Sequence, residues 1–124
     1  MGRMFEAACN SCRHHFNASD GGTASAESLR CSDCSESQNV DYDDIPHTYL
    51  AFLKGLQTSM PELNGADWRT FDGPPITEED YRRAVEQKAG ACTCGGRFAF
   101  DMPVRCPACR SNAITDLGTF LHYD

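Results

Sequence analysis

Short runs in which apolar and polar residues alternate stand near both ends of the chain, each beside a pair of cysteines. Residues 3–8, just before the first pair, can form an extended strand. Residues 13–18, just after it, can form a second strand. Residues 28–30 lead into the second pair, and residues 38–42 leave it with a period of two. Because a period of two places alternate side chains on opposite faces of a strand, the pattern predicts a ribbon of short β-strands.

The last third of the chain repeats this strand pattern. Residues 97–101 alternate two phenylalanines with other residues, as a half-buried strand does. Farther on, residues 113–117 and 119–123 flank Gly118, and two apolar runs around a glycine are typical of a β-hairpin. We therefore predict a second ribbon of strands at the C-terminal end.

In the middle of the chain the apolar spacing changes to three or four residues, which predicts α-helices. The apolar face of the first helix comprises Ile45, Tyr49, Phe52, Leu53, Leu56 and Met60. Asp44 is its predicted N-cap, and Pro46 lies in its first turn. A second helix should begin at Thr77, whose spacing to Asp80 resembles a capping box, and should end at Gly90.

Prolines and glycines make residues 61–75 a predicted loop between the helices, with Trp68 and Phe71 as its anchors. We expect the apolar faces of the two helices to form the core, packed on each other or on the ribbons. The alternative is that Tyr49, Phe52, Trp68 and Phe71 form a docking surface for a protein partner.

Eight cysteines in 124 residues fall into four close pairs. The pairs, which we call knuckles, are Cys9/Cys12, Cys31/Cys34, Cys92/Cys94 and Cys106/Cys109. A tight turn of this length directs two thiolates at one ion about 2.3 Å away, and two such turns complete a tetrahedron. No apolar run resembles an export signal or approaches the roughly 20 residues of a membrane span. We therefore expect a cytoplasmic protein whose eight thiols are metal ligands rather than four disulfides.

The loops between knuckles suggest how the four knuckles combine. Eighteen residues separate Cys12 from Cys31 and 11 separate Cys94 from Cys106, whereas 57 separate Cys34 from Cys92. The shorter loops favour two local sites, one formed by Cys9, Cys12, Cys31 and Cys34 and the other by Cys92, Cys94, Cys106 and Cys109. Because closure entropy grows slowly with loop length, pairing across the longer gap stays open.

Two segments around the C-terminal cysteines resemble a zinc ribbon of the rubredoxin-like kind. They are residues 92–98, CTCGGRF, and residues 105–111, RCPACRS. The N-terminal knuckles resemble a second ribbon more loosely. The resemblance, together with the helices that the apolar spacing predicts, implies a small, metal-stabilised α+β fold in which two zinc-ribbon β units flank a short helical middle. The corresponding domains are an N-terminal ribbon over residues 1–42, an acidic segment with two helices over 43–90, and a C-terminal ribbon over 91–124.

Four thiolates accept zinc or iron, and the resemblance covers both metals. We expect two Zn²⁺ ions rather than iron, because no feature marks an electron-transfer surface. A catalytic zinc keeps an open position, whereas four cysteines close each site. His47 and His122 have no recognisable nucleophile beside them, and His14 and His15 are expected at the surface. The sequence therefore predicts no catalytic site and a protein that is not an enzyme.

The net charge of the chain indicates which class of partner it would bind. The formal net charge is −7, and residues 35–75 contain seven acidic residues against two basic ones. Two zinc ions, each bound by four thiolates, would bring the total to about −11. Such a chain repels phosphate, so we favour a protein partner with a basic surface over nucleic acid.

The expected function is that of a protein-interaction module, acting as an adaptor or an inhibitor. One alternative is a nucleic-acid-associated zinc-ribbon protein that uses Arg97, Arg105 and Arg110 around the C-terminal cysteines. The other is a rubredoxin-like iron electron carrier.

Overall fold

The computed structural model describes residues 2–22, 25–58 and 67–123. In chain order, the strands and α-helices are β1 (Gly2–Cys9), β2 (His15–Asp20), β3 (Ala26–Cys31), β4 (Ser37–Asp41), α1 (Pro46–Leu56), α2 (Glu78–Ala89), β5 (Phe98–Ala99) and β6 (Ile114–Tyr123). Short 3-10 helices lie before and after α1, at Tyr42–Asp44 and Trp68–Thr70. The described residues thus form a small α+β protein, which confirms the class that the sequence pattern predicts.

The six strands form two antiparallel three-stranded sheets, in the orders β2-β1-β6 and β4-β3-β5. Each sheet takes a hairpin from the N-terminal third of the chain and one strand from the C-terminal third. In the first sheet β6 runs along β1, with Gly2 opposite Tyr123 and Cys9 opposite Ile114. In the second, β5 lies beside β3, with Cys31 opposite Phe98. Strand pairing therefore joins residues 1–42 to residues 91–124 twice.

Both sheets are built on one plan. A knuckle lies at the tip of the hairpin, and the third strand follows another knuckle and pairs with the first strand of that hairpin. The Asn10 N–H donates to the Ala113 carbonyl at 2.8 Å, and the Ser32 N–H, one residue after Cys31 as Asn10 is after Cys9, donates to the Arg97 carbonyl at 2.9 Å. In the sequence, the β4-β3-β5 unit lies between β2 and β6, so it is inserted into the β2-β1-β6 unit. We call this arrangement the nested fold.

One hydrophobic core lies between the helices and the β4-β3-β5 sheet. Its buried members are Leu29, Cys31, Val40, Ile45, Tyr49, Leu53, Tyr81, Val85, Cys92 and Phe98. Rings stack within it, Phe52 on Tyr81 with centroids 4.0 Å apart and Tyr42 on Tyr49 at 3.9 Å. The apolar faces predicted for the helices thus supply core, and two cysteines belong to the same core.

Helix α1 begins at Pro46, which occupies the first turn as predicted. Its cap position is Ile45 rather than Asp44, because residues 42–44 already form a 3-10 turn. On the predicted apolar face, Leu56 at the end of the helix is 57 % exposed. Met60 lies outside the described residues. The first helix is therefore shorter than its apolar spacing indicated.

Helix α2 is bounded as predicted. The Thr77 hydroxyl accepts a hydrogen bond from the Asp80 N–H at 3.1 Å, and the helix ends at Gly90, whose φ is 79°. Of the predicted loop 61–75, the structure describes residues 67–75. Among the described residues, neither helix is long and apolar enough to cross a membrane.

The predicted C-terminal hairpin around Gly118 is wrong. Residues 114–123 form one continuous strand, β6, which pairs with β1 along its length. Its register shifts twice, once near Leu117 and once near Phe120, so the strand contains two bulges. Gly118 has φ 132°, which bends the strand without reversing it. The edge of β1 provides a partner that the local sequence pattern cannot reveal.

The alternative docking surface of four aromatic residues is mostly part of the core. Tyr49 is buried, and Phe52 and Trp68 are half-buried and pack against the core. Phe71 is half-buried, and its ring lies 6.1 Å from that of His47. These side chains therefore contact the protein itself rather than forming an open face.

Candidate metal centres

The eight cysteines gather into two groups of four, each taking one knuckle from either end of the chain. We call Cys9, Cys12, Cys106 and Cys109 the outer site, and Cys31, Cys34, Cys92 and Cys94 the inner site. The predicted local pairing is therefore wrong: the first knuckle joins the fourth, and the second joins the third. Sheet register is the reason, because β6 pairs with β1 and β5 with β3, which brings their preceding knuckles to the hairpin tips.

The sulfur positions fit a tetrahedral ion in both groups. All four sulfur atoms of each site lie within 4.8 Å of one another. Between knuckles, the nearest sulfur pairs are 3.5 Å apart in the outer site and 3.4 and 3.6 Å apart in the inner site. A tetrahedron with metal–sulfur bonds of about 2.3 Å has edges of about 3.8 Å, whereas a disulfide requires about 2.05 Å. All eight thiols are free, and each group could hold a metal ion.

The four knuckles close with similar backbone hydrogen bonds. The N–H of Cys9, Cys31 and Cys106 each donates to the carbonyl five residues later, at 2.8 to 2.9 Å. The shorter knuckle closes from Cys92 to Gly96, four residues later, at 2.8 Å. The residue after each second cysteine has a positive φ, and these residues are Arg13, Ser35, Gly95 and Arg110. Three of them are not glycine, and strain of this kind persists where the surrounding structure imposes it.

Backbone N–H groups point at several of the sulfur atoms. The Asp33 N–H donates to Cys31 Sγ at 3.4 Å, the Gly96 N–H to Cys94 Sγ at 3.5 Å, and the Ala108 N–H to Cys106 Sγ at 3.3 Å. Such hydrogen bonds favour the charged thiolate, which is the form that binds metal. They are the supporting interactions expected around thiolate ligands.

Thiol acidity follows these contacts. A hydrogen bond from the Cys12 backbone N–H is the largest effect on Cys9 and lowers its pKa to about 6. Burial acts to raise the pKa of Cys31, but hydrogen bonds led by that from the Asp33 N–H bring it down to about 7. At Cys12 the His14 N–H lowers the pKa, yet desolvation and the neighbouring thiols raise it to about 12. One thiol of each N-terminal knuckle therefore ionises readily, and a cation would favour ionisation of the others.

Gly96 makes the closest approach of the backbone to the inner site. A Cβ at this position would lie 2.7 Å from Cys31 Sγ and 3.1 Å from the Asp33 side chain. Real Cβ atoms essentially never come within 2.7 Å of another heavy atom, and a thiolate bound to an ion would have little freedom to move away. The residue must therefore be glycine for a steric reason, which sequence spacing alone did not show.

Replacing Gly96 by alanine is expected to weaken metal binding at the inner site by about 10- to 100-fold, the usual effect of disturbing the surroundings of a metal ligand. The measurement is a competition titration with a coloured chelator under reducing conditions. Gly118→Ala is the control, because its Cβ would meet nothing within 4 Å and the cost is backbone strain alone. Equal metal affinity in Gly96→Ala and the wild-type protein would contradict the steric argument.

Of the three arginines predicted around the C-terminal cysteines, Arg105 contacts a knuckle of each site. Arg105 is half-buried: its Nε donates to the Ser32 carbonyl at 3.0 Å and its Nη1 to the Arg110 carbonyl at 3.2 Å. Its backbone N–H also donates to the Ser35 hydroxyl. Arg97 and Arg110 are exposed and form no ion pair within the described residues. Sequence reasoning missed that Arg105 contacts both sites, since nothing in the sequence places Ser32 beside it.

Two arginines on α2 and the first histidine after Cys12 have ordinary surroundings. Arg82 pairs with Asp101 at 2.5 Å, and Arg83 pairs with Glu79 at 3.3 Å, so both are neutralised as local charge pairs. His14 stacks near Phe16 with ring centroids 6.0 Å apart. Among the described residues, no histidine belongs to either group of metal-ligating side chains. Both groups therefore consist of thiols alone.

The chain belongs to a family described as a domain of unknown function, DUF8255, whose model matches residues 5–115. The match includes all eight cysteines and both helices. No curated protein and no solved structure matches the chain significantly. The match therefore assigns a family and leaves the function to be argued from the two sites.

Proposed function

We propose that this member of the DUF8255 family is a non-catalytic zinc protein with two structural four-cysteine sites, acting in the cytoplasm as a protein-interaction module. The observation that carries the proposal is the grouping of eight free thiols into two sets of four. Four thiolates around one zinc ion leave no open position for water or substrate. Each ion would act as a cross-link between distant parts of the chain, with its ligands deprotonated and supported by backbone N–H groups.

The distribution of buried side chains supports a structural role for the metal. The apolar core serves the helices and one sheet, whereas the buried apolar side chains described in the β2-β1-β6 sheet are Phe5, Ala7 and Cys9, all on β1. A sheet with so little buried apolar surface needs another source of stability. The outer site lies at the end of that sheet and would supply it.

Elemental analysis and native mass spectrometry of protein purified under reducing conditions test this proposal. We expect two zinc ions per chain and a solution that stays colourless after oxidation. An iron protein that turns red when it is oxidised would instead favour the rubredoxin-like electron carrier. Fewer than two tightly bound ions in fresh protein, or four disulfides, would overturn the proposal of two zinc sites.

The interaction role is supported by charge. Asp41, Asp43 and Asp44 lie at the surface, just before α1, and form no ion pair within the described residues. Unpaired acidic side chains clustered on a turn suit a basic protein surface, for which the module would act as an adaptor or inhibitor. Affinity purification with wild-type protein and with a variant carrying asparagine at all three positions tests this. Partners that bind both forms equally at low salt would contradict it.

A nucleic-acid role is the second candidate, and one observation favours it. Arg97 and Arg110 are exposed and form no ion pair in the part of the chain that the structure describes. Arg105 donates to the Ser32 and Arg110 carbonyls. Because the Ser32 N–H also donates to the Arg97 carbonyl, the three arginines belong to neighbouring segments and could contact phosphates even on an acidic protein. The acidic net charge weighs against this role.

If nucleic acid is the ligand, changing Arg97 and Arg110 together to glutamine is expected to weaken binding and to reduce the salt slope by about two. Fluorescence anisotropy with single-stranded RNA and duplex DNA at several salt concentrations measures both quantities. Arg83→Gln is the matched control, because Arg83 is exposed but paired with Glu79. An absence of binding by the wild-type protein at low salt would end this candidate.

A further inference from the structure

We propose that the inner and outer sites bind metal cooperatively, with Arg105 as the residue that transmits part of the coupling between them. This inference rests on the proposed two-metal function and concerns how the two sites regulate each other. It follows from two independent observations, the nested order of the knuckles and the hydrogen bonds that cross between the sites.

Nesting makes each site shorten the loop that the other must close. If the outer site forms without the inner site, joining Cys12 to Cys106 closes a loop that spans 94 residues. Once the inner site has joined Cys31 to Cys94, the loop left to close runs from Cys12 to Cys31 and from Cys94 to Cys106. That loop has about 31 residues, roughly a third of the original length. The probability of closing a loop falls as about the three-halves power of its length. The affinity of the outer site for its ion should therefore rise roughly fivefold. Two local sites in sequence would show no such gain.

Arg105 adds a direct contact between the sites. It immediately precedes Cys106 of the outer site, and its guanidinium donates to Ser32 inside the Cys31–Cys34 knuckle and to Arg110 after the Cys106–Cys109 knuckle. The same side chain thus contacts one knuckle of each site, and its bond to Ser32 requires the inner knuckle to be in place. When a metal ion orders one of these knuckles, it fixes one acceptor of Arg105. The other knuckle then has less conformational freedom to lose when its own ion binds.

Contacts by Arg30 extend the coupling across the boundary between the two units. Its guanidinium, half-buried on β3, donates to the Met102 carbonyl at 2.7 Å and to the Ser19 carbonyl of β2. The first acceptor lies on the segment that leads to Arg105, and the second lies in the other sheet. The two units are therefore held to each other as well as to their own ions.

The test is a thermodynamic cycle with Zn²⁺ and a competing chelator under reducing conditions. The overall constant for binding two ions to the wild-type protein is compared with two single-site constants. The inner constant comes from Cys12→Ser/Cys109→Ser, both exposed positions, and the outer constant from Cys34→Ser/Cys94→Ser. We expect the overall constant to exceed the product of the single-site constants by at least about fivefold.

Arg105→Met tests the contribution of the side chain and keeps the inference testable if a cysteine variant does not fold. Native mass spectrometry at one equivalent of zinc should then show more one-metal protein than the wild type does. Arg97→Met, which removes a nearby exposed arginine, should leave the distribution unchanged, and Arg105→Lys should restore it in part. An overall constant equal to the product, or the same distribution in Arg105→Met, would overturn the inference. Failure of the wild-type protein to bind two ions would instead refute the proposed function.

Discussion

Removing metal from the reduced protein is expected to unfold it, and this is the largest effect that the structure predicts. Structural zinc sites contribute on the order of 10 to 16 kcal/mol each in small domains, whereas a whole domain is stable by about 5 to 15 kcal/mol. Without the ions, the β2-β1-β6 sheet would keep few buried apolar side chains, and the C-terminal knuckles would depend on hydrogen bonds such as that from Asn10 to Ala113 to stay at the hairpin tips. The chain should therefore lose both sheets.

Far-ultraviolet circular dichroism and amide NMR dispersion measure this loss after treatment with a strong chelator and a reductant. Addition of two equivalents of zinc should restore the native spectra, which separates metal loss from irreversible damage. A metal-free, reduced protein with native amide dispersion would contradict the prediction and would assign the stability to the apolar core alone.

The second large effect is a difference between the two sites when each loses one buried ligand. Cys31 and Cys106 are both 0 % exposed, but only Cys31 belongs to the apolar core with the helices. Cys31→Ser is expected to release the inner ion and to disorder α1 and α2, because it places a hydroxyl in the core beside an incomplete site. Cys106→Ser is expected to retain one ion and both helices.

Native mass spectrometry gives the number of ions, and amide NMR signals from residues 46–56 and 78–89 report on the helices. Equal burial of the two cysteines makes Cys106→Ser the matched control for loss of a buried thiol. The same loss of helix signals in both variants would show that the outer site supports the core as strongly as the inner site does.

The sequence was enough to predict features that depend on residues only a few positions apart. Pro46 and Thr77 begin the helices because a fixed φ and a hydroxyl acceptor act within one turn. Tyr49 and Leu53 are buried because their spacing places them on the predicted apolar face of the first helix. The eight cysteines were identified as ligand candidates from turn length, which is also local.

Features that depend on distant partners could not be predicted. Gly118 lies in a continuous strand because β1 offers its edge more than 100 residues away in sequence. The knuckles combine as first with fourth and second with third for the same reason, although shorter loops favoured the local arrangement. Closure entropy differs little between these loops, so sheet register outweighs it. The contact of Arg105 with both sites follows from that register.

The nested order of the knuckles also has a consequence during synthesis. The outer site requires thiols from the first dozen residues and from positions 106 and 109. At about 5 to 20 residues per second, the ribosome takes between roughly 5 and 20 s to make the second half of that site after the first. During this interval Cys9 and Cys12 have no partner knuckle. Newly made chains should therefore be most vulnerable to thiol oxidation at these two residues, before the last knuckle emerges.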